Sequence, residues 1–296
     1  MAASLAGGGE VRGVEVLPGG LAADTFSFDL ADRAYVLKRY AVGNSACVIE
    51  YDNLALVHSL SVPTPEPVHV DKSGLWFGSP TLVMSRLPGK PEFQPSDLAA
   101  WTDAAANALA AIHGLDPRLA RHPVTPRWQR FTPNLCVLGD TASVVDQAIA
   151  RLYDAAEHTP SVFSPDDYNP GNLLFLDGRL TGIVDWGEIA IEPRQAAVAL
   201  YRHMLALQPG GDAPDLFLAS YERTLGATLP DMPLWDILYG LRGCQPVAHW
   251  ERAFQEHGVR LTEQQITSRS VQWVRESLAR HLRARGVSST IGSTSS

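Results

Sequence analysis

The chain changes its hydrophobic rhythm part-way along. Up to about Ser85, β-branched and aromatic residues alternate or cluster over 14–17, 25–30 and 34–40, between Gly, Asp and Ala-Asp turns, and these runs predict strands. One helical repeat lies among them: Val48, Tyr51, Leu54 (or Ala55), Val57 and Leu60 predict a helix over 45–60. Ser61-Val62-Pro63-Thr64-Pro65-Glu66-Pro67 stops it, because each proline disfavours helix in itself and in the residue before it. The apolar run 81–86 predicts another strand, ending in the turn Leu87-Pro88-Gly89. Beyond Ser96, read as an N-cap, the stripe Leu98, Trp101, Ala105, Leu109 and Ile112 predicts a helix closed near Gly114. Further helices are expected at 142–157, 195–207, 215–225, 234–243, 247–257 and 262–283. The pattern divides the chain into a β-rich part (1–86), a mostly helical part (87–286) and a Ser/Thr/Gly tail (287–296) expected to be disordered.

Composition narrows the class. Of 296 residues, 45% are hydrophobic and 19% charged, a balance that excludes collagen, low-complexity disorder and a disulfide-dense miniprotein. No apolar run approaches the ~18 residues of a membrane span, and the N-terminus lacks a basic start followed by an apolar core, so neither membrane nor secretion is expected. The net charge of −8 argues against nucleic acid, whose binding rests on cations at phosphates. Cys47, Cys136 and Cys244 have no CxxC spacing and cannot all pair, as expected of reduced thiols in a cytoplasmic protein. Only Lys38, Lys72 and Lys90 among the 24 basic residues are lysine. Charge is also uneven: 161–236 holds 11 acids and 4 arginines, and 239–296 holds 4 acids and 8 arginines. Several acids of the middle region, if they line one cleft, would attract a metal or a cationic small molecule.

The most informative stretch is 164–192, SPDDYNPGNLLFLDGRLTGIVDWGEIAIE. Two apolar runs flank Asp177-Gly178, a strong hairpin signal. A plain two-residue loop pairs Leu176 with Arg179, sets Asn172 opposite Ile183 and leaves Asp185 diagonal to Asn172 on one face. Diagonal neighbours lie roughly 7–8 Å apart at Cα, so an amide oxygen and a carboxylate there can hold one hard cation. Mg²⁺ takes few protein oxygens and completes its shell with water and phosphates. Asp167 precedes Asn172 across a bend that Pro170 and Gly171 keep out of regular structure. A carboxylate so placed can orient a hydroxyl and accept its proton during phosphoryl transfer.

Asp167-Tyr-Asn-Pro-Gly-Asn172-Leu-Leu, followed by Gly182-Ile-Val-Asp185-Trp186, resembles the catalytic core of the aminoglycoside phosphotransferase family, which shares its fold with protein kinases. The resemblance implies an α+β, kinase-like two-lobe fold, with a small antiparallel β N-lobe and a larger, mostly helical C-lobe. It implies Asp167 as catalytic base, with Asn172 and Asp185 as ligands of Mg²⁺. Lys38, in Val36-Leu-Lys-Arg39, takes the place of the lysine that holds the nucleotide phosphates, and Glu50 that of its ion-pair partner. The segment 80–89 looks like the hinge that receives adenine, with the backbone of Ser85 and Leu87 on the base edge and Met84 beside the purine. The implied activity is transfer of the γ-phosphate of ATP or GTP to a hydroxyl of a small molecule, an antibiotic of aminoglycoside type or another natural product. A kinase for choline, homoserine or a sugar, and a non-catalytic nucleotide-binding pseudokinase, are the alternatives. The similarity spans roughly 15–200. The C-terminal third, which sets acceptor choice in that family, matches only as helices. Monomer and dimer are both compatible.

Four positions depart from the family pattern. Pro165-Asp166 stands where His-Gly is usual, and Ala197 where an Asp often braces the loop. The loop 18–26 has two glycines but no GxGxxG, and Ala23 replaces a polar residue. Asp166 beside Asp167 adds like charge, which raises one pKa unless a cation compensates. Trp186 is expected to pack, and His113 and His249 have no metal-ligand partner at useful spacing. Trp235, Trp250 and Trp273 sit on helices, where one can line an acceptor pocket. Arg242, Glu251 and Arg252 are further candidates for acceptor contact.

Overall fold

A computed structural model describes residues 9–18, 23–208, 211–245 and 248–286. Residues 19–22 of the loop 18–26 and the tail 287–296 lie outside the described residues, so the expectations for the middle of the nucleotide-covering loop and for the disordered tail fall there. So does the side chain of His249.

The first third of the chain builds one antiparallel sheet from β1 (Val11–Val16), β2 (Ala23–Leu30), β3 (Arg33–Tyr40), β4 (Pro67–Asp71) and β5 (Thr81–Ser85), in the order β1-β2-β3-β5-β4. Both faces of its centre are apolar. Phe28, Leu30, Tyr35, Leu37 and Val83 form a cluster on one side, while Tyr40, Leu82 and Met84 join the main core on the other. Period-two geometry explains the split, since Lys38 pairs with Leu82 and Val36 with Met84 on the face opposite Leu37 and Val83. Helix α1 (Ala46–Ser59) packs against this sheet. Strand β4 was not legible in the sequence: three prolines read as a breaker, yet Pro67 only opens an edge strand, where a missing N–H costs nothing.

The rest of the chain is mainly helical: α2 (Leu98–Ile112), α3 (Ala142–Glu157), α4 (Arg194–Ala206), α5 (Ala213–Leu225), α6 (Met232–Gly243), α7 (Ala248–Glu256) and α8 (Glu263–Ala284). The α2 cap is Asp97, not Ser96: its carboxylate accepts from Ala100 N at 3.0 Å, placing a negative charge at the helix N-terminus. Thr262 and Gln265 form a reciprocal capping box on α8. Helix α4 is buried on nearly every side and carries Arg202 into the core, where Asp236 takes both ends of the guanidinium at 3.0 and 2.9 Å. Among the described residues no helix is long and apolar enough to cross a membrane.

Two small sheets join these parts. One holds β6 (Lys90–Pro91), β9 (Leu173–Leu176) and β10 (Arg179–Ile183); the other holds β7 (Pro123–Val124), β8 (Ser161–Pro165) and β11 (Ile189–Pro193). The β9–β10 hairpin turns at Asp177-Gly178 with Leu176 opposite Arg179, as the turn chemistry dictates. Its register then slips by one between Leu180 and Gly182, so Ile183 faces Leu173 and not Asn172. Thr181 is the extra residue, and its hydroxyl reaches Pro88 O at 2.5 Å and Leu174 O at 3.0 Å. The bulge thus ties the hairpin to the segment following β5. Gly89 sits against it at φ +97°, where a Cβ would lie 2.5 Å from Phe175 O.

Candidate active site

Lys38 enters from β3 and meets two acids brought from far along the chain. Its Nζ donates to Glu50 Oε1 at 2.6 Å and to Asp185 Oδ1 at 2.8 Å. The Tyr40 hydroxyl donates to the other oxygen of Glu50. Burial opposes the charge on Lys38, but Asp185 and Glu50 outweigh it and raise the pKa. Burial raises Glu50, with Lys38 pulling the other way, while the ammonium beside Asp185 holds that carboxyl below its ordinary value. Lys38 is therefore a fixed cation at the mouth of the sheet.

Asp185 adopts φ +65°, a left-handed conformation that asparagine and aspartate tolerate best among residues with a Cβ. Its surroundings enforce it. Ile183 N donates to Pro63 O at 2.7 Å and Val184 N to Asn172 O at 2.9 Å, while Trp186 packs in the core and donates to Ile183 O at 3.0 Å. Asn53 on α1 donates to Trp186 O at 2.9 Å, so the helix that carries Glu50 also grips the turn that carries Asp185.

The loop after β8 carries Asp167. Tyr168 anchors it by donating to Ala105 O at 2.7 Å, and Asn169 caps the single 3-10 turn Pro170–Asn172 by accepting from Gly171 N at 2.8 Å. Asn172 donates its amide to Asp167 O at 2.9 Å, which turns its amide oxygen the other way, free of donors among the described residues. Its backbone carbonyl is the one that accepts from Val184, next to Asp185. Asp167, Asn172, Asp185, Lys38 and Glu50 thus belong to one connected region.

The residues that hold Asp167 were invisible in the sequence. Arg127 places Nη2 3.2 Å from Asp167 Oδ1 and 3.0 Å from Glu188 Oε2, and its backbone N–H donates to Asp166 Oδ1 at 2.8 Å. Arg130 pairs with Asp166 and with Glu188 Oε1, the latter at 3.0 Å. The adjacent carboxylates therefore diverge: Asp166 is buried against two arginines while Asp167 keeps about a third of its side chain open, at 36% exposure. Burial raises the pKa of both, against the pull of Arg127. Asp166 occupies the position where the family pattern has glycine, and here it braces the loop. Ala197 is buried in α4 and bears no polar group. With 21 arginines in the chain and 39 positions between Arg127 and Asp166, no local spacing marks these partners.

The segment expected to receive a base is only partly free. Ser85 N–H is engaged by Glu66 O at 2.9 Å, and Ser85 Oγ accepts from Glu66 N at 2.8 Å, so of its backbone only the carbonyl remains for a ligand. Leu87 N–H makes no backbone bond among the described residues. The Leu87 side chain lies over Gly182, where a Cβ would overlap it, and Met84 is buried on the inner face of β5.

Asn172 and Asp185 supply one amide oxygen and one part-exposed carboxylate, a donor set that suits Mg²⁺ sharing its shell with phosphates better than a metal in an all-protein cage. The described residues hold no group of three or more His, Cys, Asp or Glu arranged to bind a metal. Trp235 and Trp273 pack in the core, Glu251 accepts from Gln255 and from Glu263 N, and Arg252 pairs with Glu256. Cys47 and Cys244 are buried free thiols.

The profile of the phosphotransferase enzyme family matches residues 13–235. Hygromycin-B 4-O-kinase from Escherichia coli is 29% identical over 201 residues, 59% of this chain and 57% of that one, so the match spans little more than half of the relative's length. Among solved structures, a thermostable mutant of aminoglycoside phosphotransferase APH(4)-Ia, in ternary complex with AMP-PNP and hygromycin B, superposes with a TM-score of 0.61 at 18% identity, covering 92% of this chain and 95% of that one. Choline kinase LicA from Streptococcus pneumoniae superposes with a TM-score of 0.61 at 17% identity, covering 94% and 96%. The fold is that of these proteins, with an antiparallel-sheet N-lobe and a helical C-lobe.

Proposed function

The chain belongs to the phosphotransferase enzyme family, and from that premise we propose that it transfers the γ-phosphoryl group of ATP or GTP to a hydroxyl of a small molecule. The observation that carries the reading is that Lys38 is ion-paired to both Glu50 and Asp185, while Asp185 follows Val184, which is hydrogen-bonded to Asn172, and Asn172 is in turn bonded to Asp167. Glu50, held by Tyr40, aims the Lys38 ammonium at the nucleotide phosphates. Asn172 and Asp185 would hold Mg²⁺, which when bound neutralises charge on the β- and γ-phosphate oxygens. Asp167 receives the acceptor hydroxyl and takes its proton as the new O–P bond forms and the bond to the β-phosphate oxygen breaks. Arg127 keeps the Asp167 carboxylate in place. Leu87 N–H and the Ser85 carbonyl are the backbone groups offered to the base, and we place the lobe boundary between residues 86 and 87.

The likeness to hygromycin-B 4-O-kinase supports a natural-product antibiotic as acceptor and a role in resistance; we place the activity in the cytoplasm. A labelled-phosphate screen of ATP and GTP against antibiotics and hydroxylated metabolites tests this. Asp167→Ala should still bind nucleotide and lose about 100- to 10,000-fold in turnover. Undiminished turnover in that variant overturns the assignment, and no turnover with any acceptor favours the pseudokinase reading.

A further inference from the structure

The acids expected to make the acceptor side attractive to a cation are already matched by arginine. Asp166, Asp167 and Glu188 each lie within ion-pair distance of Arg127, and Asp166 and Glu188 also pair with Arg130. A third guanidinium stands nearby without such a match. Arg242, at the end of α6, lies 5.9 Å from the centre of the Tyr239 ring and 5.6 Å from that of Trp250 on α7. Among the described residues no carboxylate comes within ion-pair distance of it. The nearest candidates in sequence are turned elsewhere, since Glu251 accepts from Gln255 and Glu263 N.

Arg242 is nonetheless close to the reacting end of the cleft. Its charge is felt by the Asp167 carboxylate, and burial together with Arg127 makes its own positive charge less favourable than usual. Two aromatic rings hold the planar guanidinium as a prearranged fork, the geometry that suits a bidentate oxyanion and that lysine does not reproduce. A polycationic acceptor would meet Arg127 and Arg242 there, and Asp166, Asp167 and Glu188 beside them are already paired with arginine.

We infer that Arg242 is the acceptor-recognition residue, and that it selects a hydroxylated small molecule bearing an anionic oxygen group, carboxylate or phosphate, over an amine-bearing one. The inference rests on the phosphotransferase reading and narrows its acceptor class. The occupant sits with its anionic group on Arg242 between Tyr239 and Trp250, and its hydroxyl toward Asp167.

The test uses the full chain saturated with MgADP, so that the phosphate-binding lysine is occupied. Gluconate, glucose 6-phosphate and glucosamine are titrated in separate arms at constant ionic strength, with binding followed by calorimetry. Saturable binding of at least one of the two anions, absent for glucosamine, is expected. A charge-assisted bidentate pair predicts a loss of about 10- to 100-fold in anion affinity in Arg242→Gln, with only a minor part of it restored in Arg242→Lys, which keeps the charge but not the fork. Tighter binding of glucosamine, no saturable anion binding, or equal affinity in Arg242→Gln overturns the inference. MgADP binding is measured first by calorimetry: its failure counts against the phosphotransferase reading, and the same titrations without nucleotide then decide the role of Arg242 by themselves.

Discussion

Asp166 offers the sharpest test of how the loop that carries Asp167 is held. Its side chain is fully enclosed, accepts from the Arg127 backbone N–H at 2.8 Å and pairs with Arg130. Replacing it with alanine leaves a buried N–H without an acceptor and two guanidinium groups without their inner partner. Removing one member of a buried pair costs about 3–5 kcal/mol. Arg127 and Arg130 keep 21% and 39% of their side chains exposed and can partly rehydrate, so the low end, about 3 kcal/mol, applies. At about 2–4 °C per kcal/mol for a protein of this size, the midpoint should fall by roughly 6–12 °C. Glu188→Gln removes a carboxylate from the same two arginines, but Glu188 is 38% exposed, so the loss should stay below about 1 kcal/mol. Thermal melts followed by circular dichroism at constant pH measure both. Equal shifts in the two variants, or a shift under about 2 °C for Asp166→Ala, would refute the claim that burial, and not the number of ion pairs, decides the bracing.

Two further outcomes are expected. In Gly89→Ala the new Cβ meets a backbone carbonyl 2.5 Å away and must adopt φ +97°, so overpacking of about 1–3 kcal/mol should lower the melting midpoint and, by pushing the hairpin from the hinge, raise the KM for nucleotide; an unchanged KM would separate the hinge from the nucleotide. Glu192 is buried beside Asp166, and burial pushes its pKa up to about 8 against the pull of the Ser164 hydroxyl, which donates to it at 2.7 Å, and of Arg127 and Arg130. The folded state then holds a proton that the unfolded chain has lost, so this group's contribution to stability is full below pH ~4.5, declines as pH rises, and is gone above ~8. Glu192→Gln should flatten that slope in urea titrations run from pH 5 to 8.5, and an unchanged slope would sink the assignment.

The predicted strands and helices recur in the fold largely because short-range chemistry decides them. Asp177-Gly178 forces a tight turn whatever surrounds it, and the stripe of α2 buries the residues its period selects. Where sequence reading missed, a distant partner had overruled local preference. The edge position of β4 tolerates Pro67, and β8 and β11 are strands because they pair with each other across 24 positions, from Pro165 to Ile189. The slip at Thr181 follows from a hydroxyl reaching Pro88, which no count outward from the turn anticipates.

The candidate site divides in the same way. Residue type and spacing singled out Asp167, Asn172 and Asp185, because a phosphoryl-transfer site needs a carboxylate and hard oxygen donors, while Lys38 and Glu50 were read from the resemblance to the family, with Lys38 one of only three lysines in an arginine-rich chain. Only the tertiary structure decided what surrounds them: that Asp166 turns from Asp167 into Arg127 and Arg130, that Glu66 occupies one hinge amide, and that Arg242 lies against two rings with no ion-pair partner among the described residues. The physical reason is range. Backbone and turn preferences act over a few residues and leave a trace in their order, whereas the field at a carboxylate depends on charges that folding brings within a few ångströms from anywhere in the chain.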